Sequence, residues 1–140
     1  MATLVVGYDG TAGAQAALAE AGRLAPRLGA ELVVAFGFRV SAAGGGEDAD
    51  LRDALRDRGA ALEAEVLGAA ADFGVPVRFQ LVDDRADEGL AQLAADLSAD
   101  MIVVGSYGET PLRGAILGST PHRLLHLADR PVLVVRADPD

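Results

Sequence analysis

One apolar stretch that breaks at spaced glycines decides the fold of this chain. It reads Met101-Ile102-Val103-Val104-Gly105-Ser106-Tyr107-Gly108-Glu109-Thr110-Pro111-Leu112-Arg113-Gly114-Ala115-Ile116-Leu117-Gly118-Ser119-Thr120. Its first four residues predict a buried strand, and the apolar spacing of residues 121–128 predicts a helix. Glycines allow backbone N–H groups to approach a ligand closely, and a helix N-terminus offers unpaired donors and a positive dipole. The stretch therefore predicts a phosphate-binding loop between a strand and a helix.

The composition is that of one acidic domain. The chain has 140 residues, of which 51% are hydrophobic and 4% aromatic, so its core must consist mainly of Ala, Val and Leu. The formal net charge is −9, and all 12 basic residues are arginine. This acidity argues against binding to nucleic acid or to an anionic membrane. Because the chain has no cysteine, disulfides and thiolate metal sites are excluded.

The sequence shows no targeting signal. No basic segment precedes the first apolar run, and no run approaches the roughly 18 apolar residues of a membrane span. We therefore expect a cytoplasmic protein with a single domain over residues 1–140, of which 137–140 form a frayed tail.

Apolar strand-like and helix-like segments alternate along the chain. Strands are predicted at residues 3–8, 31–38, 77–81, 101–104 and 130–136, and helices at 11–28, 51–73, 90–97 and 121–128. Thr11 or Asp9 is placed to cap the first helix, and Gly29 to end it. Residues 41–50 and 83–87 are expected to be a flexible loop and a polar turn. Residues 77–81 alternate apolar with polar, which predicts a strand at the sheet edge.

Five strands alternating with four helices predict a parallel, doubly wound α/β sheet with helices on both faces. In such sheets, ligands bind beyond the carboxyl ends of the strands, at the point where the strand order reverses. With strand order 3-2-1-4-5, that point lies between the first and fourth strands. Asp9 follows the first of these and Gly105 ends the fourth, so both are expected at one crevice.

These motifs resemble the universal stress protein family over nearly the whole chain. Its ATP-binding subgroup has the motif G-x2-G-x9-G-(S/T), which is matched here by Gly105, Gly108, Gly118 and Ser119. Three flanking segments also match, namely Val-Gly-Tyr-Asp-Gly from residue 6, Ala-Asp-Met-Ile-Val-Val-Gly-Ser from residue 99 and Arg-Pro-Val-Leu-Val-Val-Arg from residue 130. The resemblance implies an adenine nucleotide alpha hydrolase-like fold.

The resemblance also implies a role for individual residues in binding ATP. Asp9 would lie near the adenine and ribose and could meet an ATP-bound Mg²⁺, while Gly7 and Tyr8 line the same wall. Gly37, at the end of the second strand, corresponds to a residue that faces the adenine. Val104 would touch the base or ribose. The phosphates would be held by Gly105, Gly108, Gly118, Ser119 and Thr120.

Several of these residues have an alternative structural explanation. Asp9 either binds ligand or caps the first helix, and we favour the ligand because the fold places Asp9 at the crevice. Gly105 and Gly108 could be simple turn glycines, but their spacing from Gly118 favours phosphate binding. Arg113 within the motif is either a phosphate contact or a solvated arginine, and the sequence does not choose between them.

Other polar residues give weaker signals. His122 and His126 have the i, i+4 spacing that zinc sites use, but no third ligand is evident, so we interpret them as surface or interface histidines. Ser41 and Ser106 have no identifiable His or Lys partner for nucleophilic catalysis. The acidic pairs at 47–48 and 83–84 are expected in solvated loops.

The last predicted strand suggests how the chain assembles. Val132, Leu133, Val134 and Val135 are uniformly apolar, although this strand should lie at a sheet edge. A long apolar edge invites aggregation unless it is covered. A second copy pairing edge to edge would cover it, and the resemblance also implies such a homodimer.

The leading hypothesis is a homodimeric ATP-binding stress protein that acts as a nucleotide-dependent sensor or regulator. The sequence offers no general base for catalysis, and the resemblance implies at most slow ATP hydrolysis. One alternative is a related interaction module that no longer binds nucleotide, since Gly37 offers no side chain to a base and Pro121 has no N–H. A flavodoxin-like FMN protein is disfavoured, because few aromatic residues are available to flank the flavin.

Overall fold

The computed structural model of the chain describes residues 1–38, 46–106 and 117–137, and within them the side chains of all but residues 46–48. Predictions for the loop at 39–45, for Gly108 and Arg113, and for the tail beyond residue 137 lie outside these ranges. No described helix is both long and apolar enough to cross a membrane.

The chain forms one parallel sheet with helices on both faces, as the sequence predicts. The strands are β1 (Ala2–Gly7), β2 (Ala30–Phe38), β3 (Val77–Asp83), β4 (Met101–Gly105) and β5 (Val132–Val135), in the order β3-β2-β1-β4-β5. The helices are α1 (Ala12–Leu28), α2 (Gly46–Ala69), α3 (Ala86–Asp96) and α4 (Ser119–Leu127). A short 3₁₀ turn, Ala70–Asp72, follows α2.

Two apolar clusters build the core, one on each face of the sheet. Alternate residues of the central strands project to opposite faces, so that Leu4 and Val6 pack with α1 and α2, while Val5 packs with α3 and α4. All three of these side chains are fully buried. Because both faces are covered, the central strands are continuous apolar runs rather than alternating ones.

The helix boundaries correct two sequence predictions. Residues 46–50, predicted to lie in a loop, are helical because α2 begins at Gly46, and the acidic pair 47–48 is part of this helix. Leu51, in the second turn of α2, is 48% exposed, whereas Leu62 and Val66 are buried. The N-terminal turns of α2 therefore contribute little to the core.

The polar turn predicted at residues 83–87 is confined to Asp84 and Arg85. Asp83 is the last residue of β3, and α3 already begins at Ala86. Asp87 consequently lies in the first turn of α3, where it is only 4% exposed. A polar sequence looked like a turn because an acidic first helical turn has the same composition.

Candidate functional site

The carboxyl ends of the strands open into a crevice of about 530 Å³. It lies at the switch point between β1 and β4, where a doubly wound sheet binds ligands. Residues from all four helices and from β1, β2 and β4 contribute to its walls. The lining residues are Gly7, Tyr8, Asp9, Thr11, Ala14, Ala35, Phe36, Gly37, Phe38, Leu55, Arg58, Ala86, Leu90, Val104, Gly105, Ser119, Thr120 and Pro121. Eight of the predicted site residues are therefore brought together: Gly7, Tyr8, Asp9, Gly37, Val104, Gly105, Ser119 and Thr120.

Asp9 organises the first turn of α1 at the floor of the crevice. Its Oδ1 accepts hydrogen bonds from the Thr11 hydroxyl (2.6 Å) and the Thr11 N–H (3.1 Å). The Thr11 Oγ1 in turn accepts a hydrogen bond from the Ala14 N–H at 3.2 Å, so Thr11 is the N-cap of α1. Asp9 thus does not cap α1 itself, as one of its two predicted roles required, but orients the capping residue Thr11 and still lines the crevice.

Gly105 is required where β4 meets the start of α1. A Cβ at this position would lie 2.5 Å from the carbonyl carbon of Gly13 and 2.6 Å from its oxygen. Backbone atoms cannot move aside as a flexible side chain can, so only glycine fits. This first motif glycine brings two backbones together, which draws the first turn of α1 up to the crevice.

The N-terminus of α4 forms the opposite end of the crevice. Gly118 is its N-cap, and the Gly118 N–H donates to the Ser106 carbonyl at 2.5 Å. The next three residues, Ser119, Thr120 and Pro121, line the crevice. By their position in the first turn, the N–H groups of Ser119 and Thr120 have no intrahelical acceptor, and Pro121 has no N–H to offer. Two backbone donors therefore remain for an anionic group at this end.

Gly37 is required by packing as well as by its place in the crevice. A Cβ here would lie 2.8 Å from the Ala86 Cα and 3.1 Å from the Asp84 carbonyl oxygen, because α3 begins directly over this strand end. Its neighbours Phe36 and Phe38 both line the crevice, with ring centroids 6.1 Å apart. The apolar surface that Gly37 cannot provide is thus present on either side of it. The sequence indicates this apolar surface by the two phenylalanines that flank Gly37.

Arg58 was not predicted as a site residue. It projects from α2 into the crevice, and its guanidinium donates to the Asp9 carbonyl oxygen at 2.9 Å. Leu55, one turn earlier, lines the same wall. No local pattern distinguishes these two positions from other polar and apolar positions of α2, because only the packing of α2 across the strand ends brings them to the site.

Tyr8 is a buried residue of the crevice that contacts a carboxylate. Its side chain is 5% exposed, and its hydroxyl donates to the Glu65 carboxylate of α2. Burial raises the pKa of the Tyr8 hydroxyl above its ordinary value, and the negative charges of Glu65 and Asp9 raise the same pKa further. The neutral phenol is therefore the form that the folded chain stabilises.

This shift predicts an alkaline loss of stability that depends on one residue. Because the folded-state pKa of Tyr8 is the higher one, its contribution is complete below the unfolded pKa of about 10 and is lost as pH rises through the folded value. The chain has no Lys or Cys, so tyrosines are the side chains that titrate in this range. We expect the free energy of unfolding, measured in urea between pH 8 and 11.5, to fall above about pH 10 in wild type and less steeply in Tyr8→Phe. The other tyrosine supplies the control: an equally flattened profile in Tyr107→Phe would contradict this assignment.

A buried carboxylate connects α3 to α4 behind the crevice. The Asp87 Oδ2 accepts a hydrogen bond from Arg85 at 3.2 Å and lies 3.7 Å from the Arg123 guanidinium of α4. Both arginines are about half exposed, whereas the Asp87 side chain is 6% exposed. Ala86, which precedes Asp87, lines the crevice near Gly37, and α4 supplies the other end of the crevice. The ion pair therefore joins the two helices that carry opposite ends of the site.

Fold and crevice together define a doubly wound α/β domain with a ligand crevice at its topological switch point. The model of the universal stress protein family matches residues 1–136, and the chain therefore belongs to the universal stress protein family.

Individual relatives show the same similarity. The universal stress protein Rv2005c of Mycobacterium tuberculosis is 32% identical over 136 residues, which are 96% of this chain but only 45% of that protein. This chain thus spans about half the length of such relatives. Rv1636 of the same organism is 31% identical over 143 residues that cover 95% of this chain and 94% of its own length. A crystal structure of a universal stress protein in complex with cAMP superposes with a TM-score of 0.79, at 28% identity and 98% coverage of both chains.

Proposed function

We propose that this chain binds ATP, alone or with Mg²⁺, as a member of the ATP-binding subgroup of its family, and that it acts as a dimeric sensor or regulator in a stress response. One observation carries the proposal: Asp9, Gly105 and the exposed donors of the α4 N-terminus line a single crevice. The cAMP complex of a relative supports an adenine nucleotide as the ligand.

The crevice divides into parts with different chemistry. At one end, the N–H groups of Ser119 and Thr120 and the dipole of α4 favour negatively charged phosphate. The Asp9 carboxylate also lines the crevice and is suited to ribose hydroxyls or to a magnesium ion held by the phosphates. At the other end, Phe36, Phe38 and Leu55 offer apolar surface to a base. The proposed contacts of Gly108 and Arg113 with the phosphates rest on the sequence motif alone.

The binding step is tested on the purified chain. Nucleotide released by denaturation is identified by chromatography, and ATP is then titrated by calorimetry with and without Mg²⁺. We expect an adenine nucleotide in the extract and measurable heat. If neither is found, the proposal is wrong and the chain is better described as an interaction module that has lost nucleotide binding, for which the missing N–H of Pro121 gives the reason.

We also propose that the chain forms a homodimer through β5 (Val132–Val135). All four residues are apolar and half-buried, and among the residues that the structure describes β5 is an edge strand whose pairing partner is β4. The carbonyls of Pro131 and Val135 accept hydrogen bonds from β4, so by alternation the N–H of Val134 points away from the sheet. A second copy would find free backbone groups there.

Substitution of Val134 tests this assembly. Val134→Pro removes the outward N–H without removing a bond to β4, and we expect it to weaken dimerisation about tenfold or more by sedimentation velocity. Val134→Thr keeps the N–H and the shape, and should remain dimeric. The proposal would be contradicted if the wild-type chain sedimented as a monomer at micromolar concentration.

A further inference from the structure

We propose that His122 and His126 form a binding site for a divalent transition-metal ion on the outer side of α4, with Cu²⁺ as the ion held most tightly. Both side chains are exposed, and neither lines the nucleotide crevice. The site is therefore separate from the proposed nucleotide site and does not depend on it.

The distance between the two rings carries this inference. The imidazole centroids are 5.4 Å apart with an interplanar angle of 72°. Two imidazole nitrogens at about 2.0–2.1 Å from one ion would put the ring centroids about 4.5–5 Å apart, the shorter distance for the near-90° angles of tetragonal Cu²⁺ and the longer for a tetrahedral ion. The helix thus holds both rings close to the spacing that a shared ion needs.

The surroundings favour a cation with a preference for nitrogen ligands. The chain carries a net charge of −9, and Arg123, the basic residue next to His122, is drawn toward Asp87 on the α3 side of the helix. In the described ranges, no group of three or more His, Asp or Glu residues is arranged to hold a metal ion, so water would complete the coordination. Such a site selects for ions that bind imidazole, and its affinity for Cu²⁺ should exceed its affinity for Ni²⁺ and Zn²⁺.

Metal binding at this place would also affect α4. An ion bridging residues i and i+4 ties two successive turns of the helix together, and any ligand that binds only the folded form raises its stability. The N-terminus of the same nine-residue helix forms the phosphate end of the crevice.

Calorimetric titration of CuCl₂, NiCl₂ and ZnCl₂ into the full chain tests the site. We expect one Cu²⁺ per chain, and an affinity about tenfold or more lower in both His122→Gln and His126→Gln, because each variant loses the chelate. The double variant measures background binding by the N-terminal amine and other groups. Both substitutions are at exposed positions, and unchanged circular dichroism verifies the fold of all three variants.

A relocated histidine supplies the matched control. His122→Gln combined with Leu125→His keeps two exposed imidazoles, but residues 125 and 126 are adjacent and do not face each other on a helix. We expect this variant to bind Cu²⁺ as weakly as the single variants. The proposal is overturned if the relocated pair binds as tightly as wild type, if wild type and the double variant give the same titration, or if one ion binds per two chains.

Discussion

Gly105→Ala is expected to lower the free energy of unfolding by about 3 kcal/mol or more, at or above the upper end of the usual penalty for overpacking. The added Cβ would lie 2.5–2.9 Å from three backbone atoms of Gly13. Relief requires α1 to move away from β4, and α1 packs against the largest part of the core. Urea unfolding followed by circular dichroism measures the effect.

The control for this prediction is the same chemical change at an unobstructed position. Gly68 lies near the end of α2, and in the described parts of the chain no atom outside the adjoining helical backbone lies within 4 Å of the place that an added Cβ would occupy. Because alanine is the better helix former, Gly68→Ala should leave stability unchanged or raise it by up to about 1 kcal/mol. If Gly105→Ala were within about 0.5 kcal/mol of wild type, close backbone packing would not be the reason for this glycine.

Ser119→Asp is expected to weaken ATP binding by about tenfold to a hundredfold, while the stability of the chain stays the same or increases. A carboxylate in the first turn of α4 interacts favourably with the helix dipole, by about 0.3–1 kcal/mol. The same carboxylate would repel a phosphate that accepts hydrogen bonds from the N–H groups of Ser119 and Thr120. Binding and stability should therefore change in opposite directions, which a misfolded variant cannot imitate.

Two comparisons make the Ser119 test specific to phosphate. Ser119→Asn has nearly the same shape as the aspartate variant without its charge, and it should bind ATP within a few-fold of wild type. Adenosine lacks phosphates, so any affinity for it should be equal in wild type and Ser119→Asp. Titration calorimetry measures both, and thermal unfolding measures stability. A similar loss of ATP affinity in the asparagine and aspartate variants would mean that the phosphates lie elsewhere.

The architecture was largely predictable, because the features that decide it are local. Five apolar runs of strand length alternate with helical periodicity, and this order leaves a parallel doubly wound sheet as the natural solution. The edge position of β3 was visible in the alternation of residues 77–81, since one face of an edge strand remains wet. The predicted boundaries failed at residues 46–50 and 83–87, where acidic helical turns have the composition of loops.

The candidate site was predictable where the chain ends a strand or begins a helix. Asp9, Gly105, Ser119 and Thr120 follow from their positions at such boundaries, because the carboxyl ends of parallel strands share one side of the sheet. Arg58 and Leu55 did not follow, since they come from the side of a long helix that crosses this end. The contacts of Asp87 with Arg123 were likewise invisible, because the two residues are brought together by the packing of α3 against α4.

The sequence by itself determined which segments are strands and helices, and their alternation, since each depends on residues close together in the chain. Only the tertiary structure decided why particular glycines are needed. Gly105 must leave room for Gly13, and Gly37 for Ala86, and in each case the obstructing atom belongs to the backbone of another element. Steric limits of this kind depend on distances between segments that are far apart in sequence, and a local pattern does not contain them.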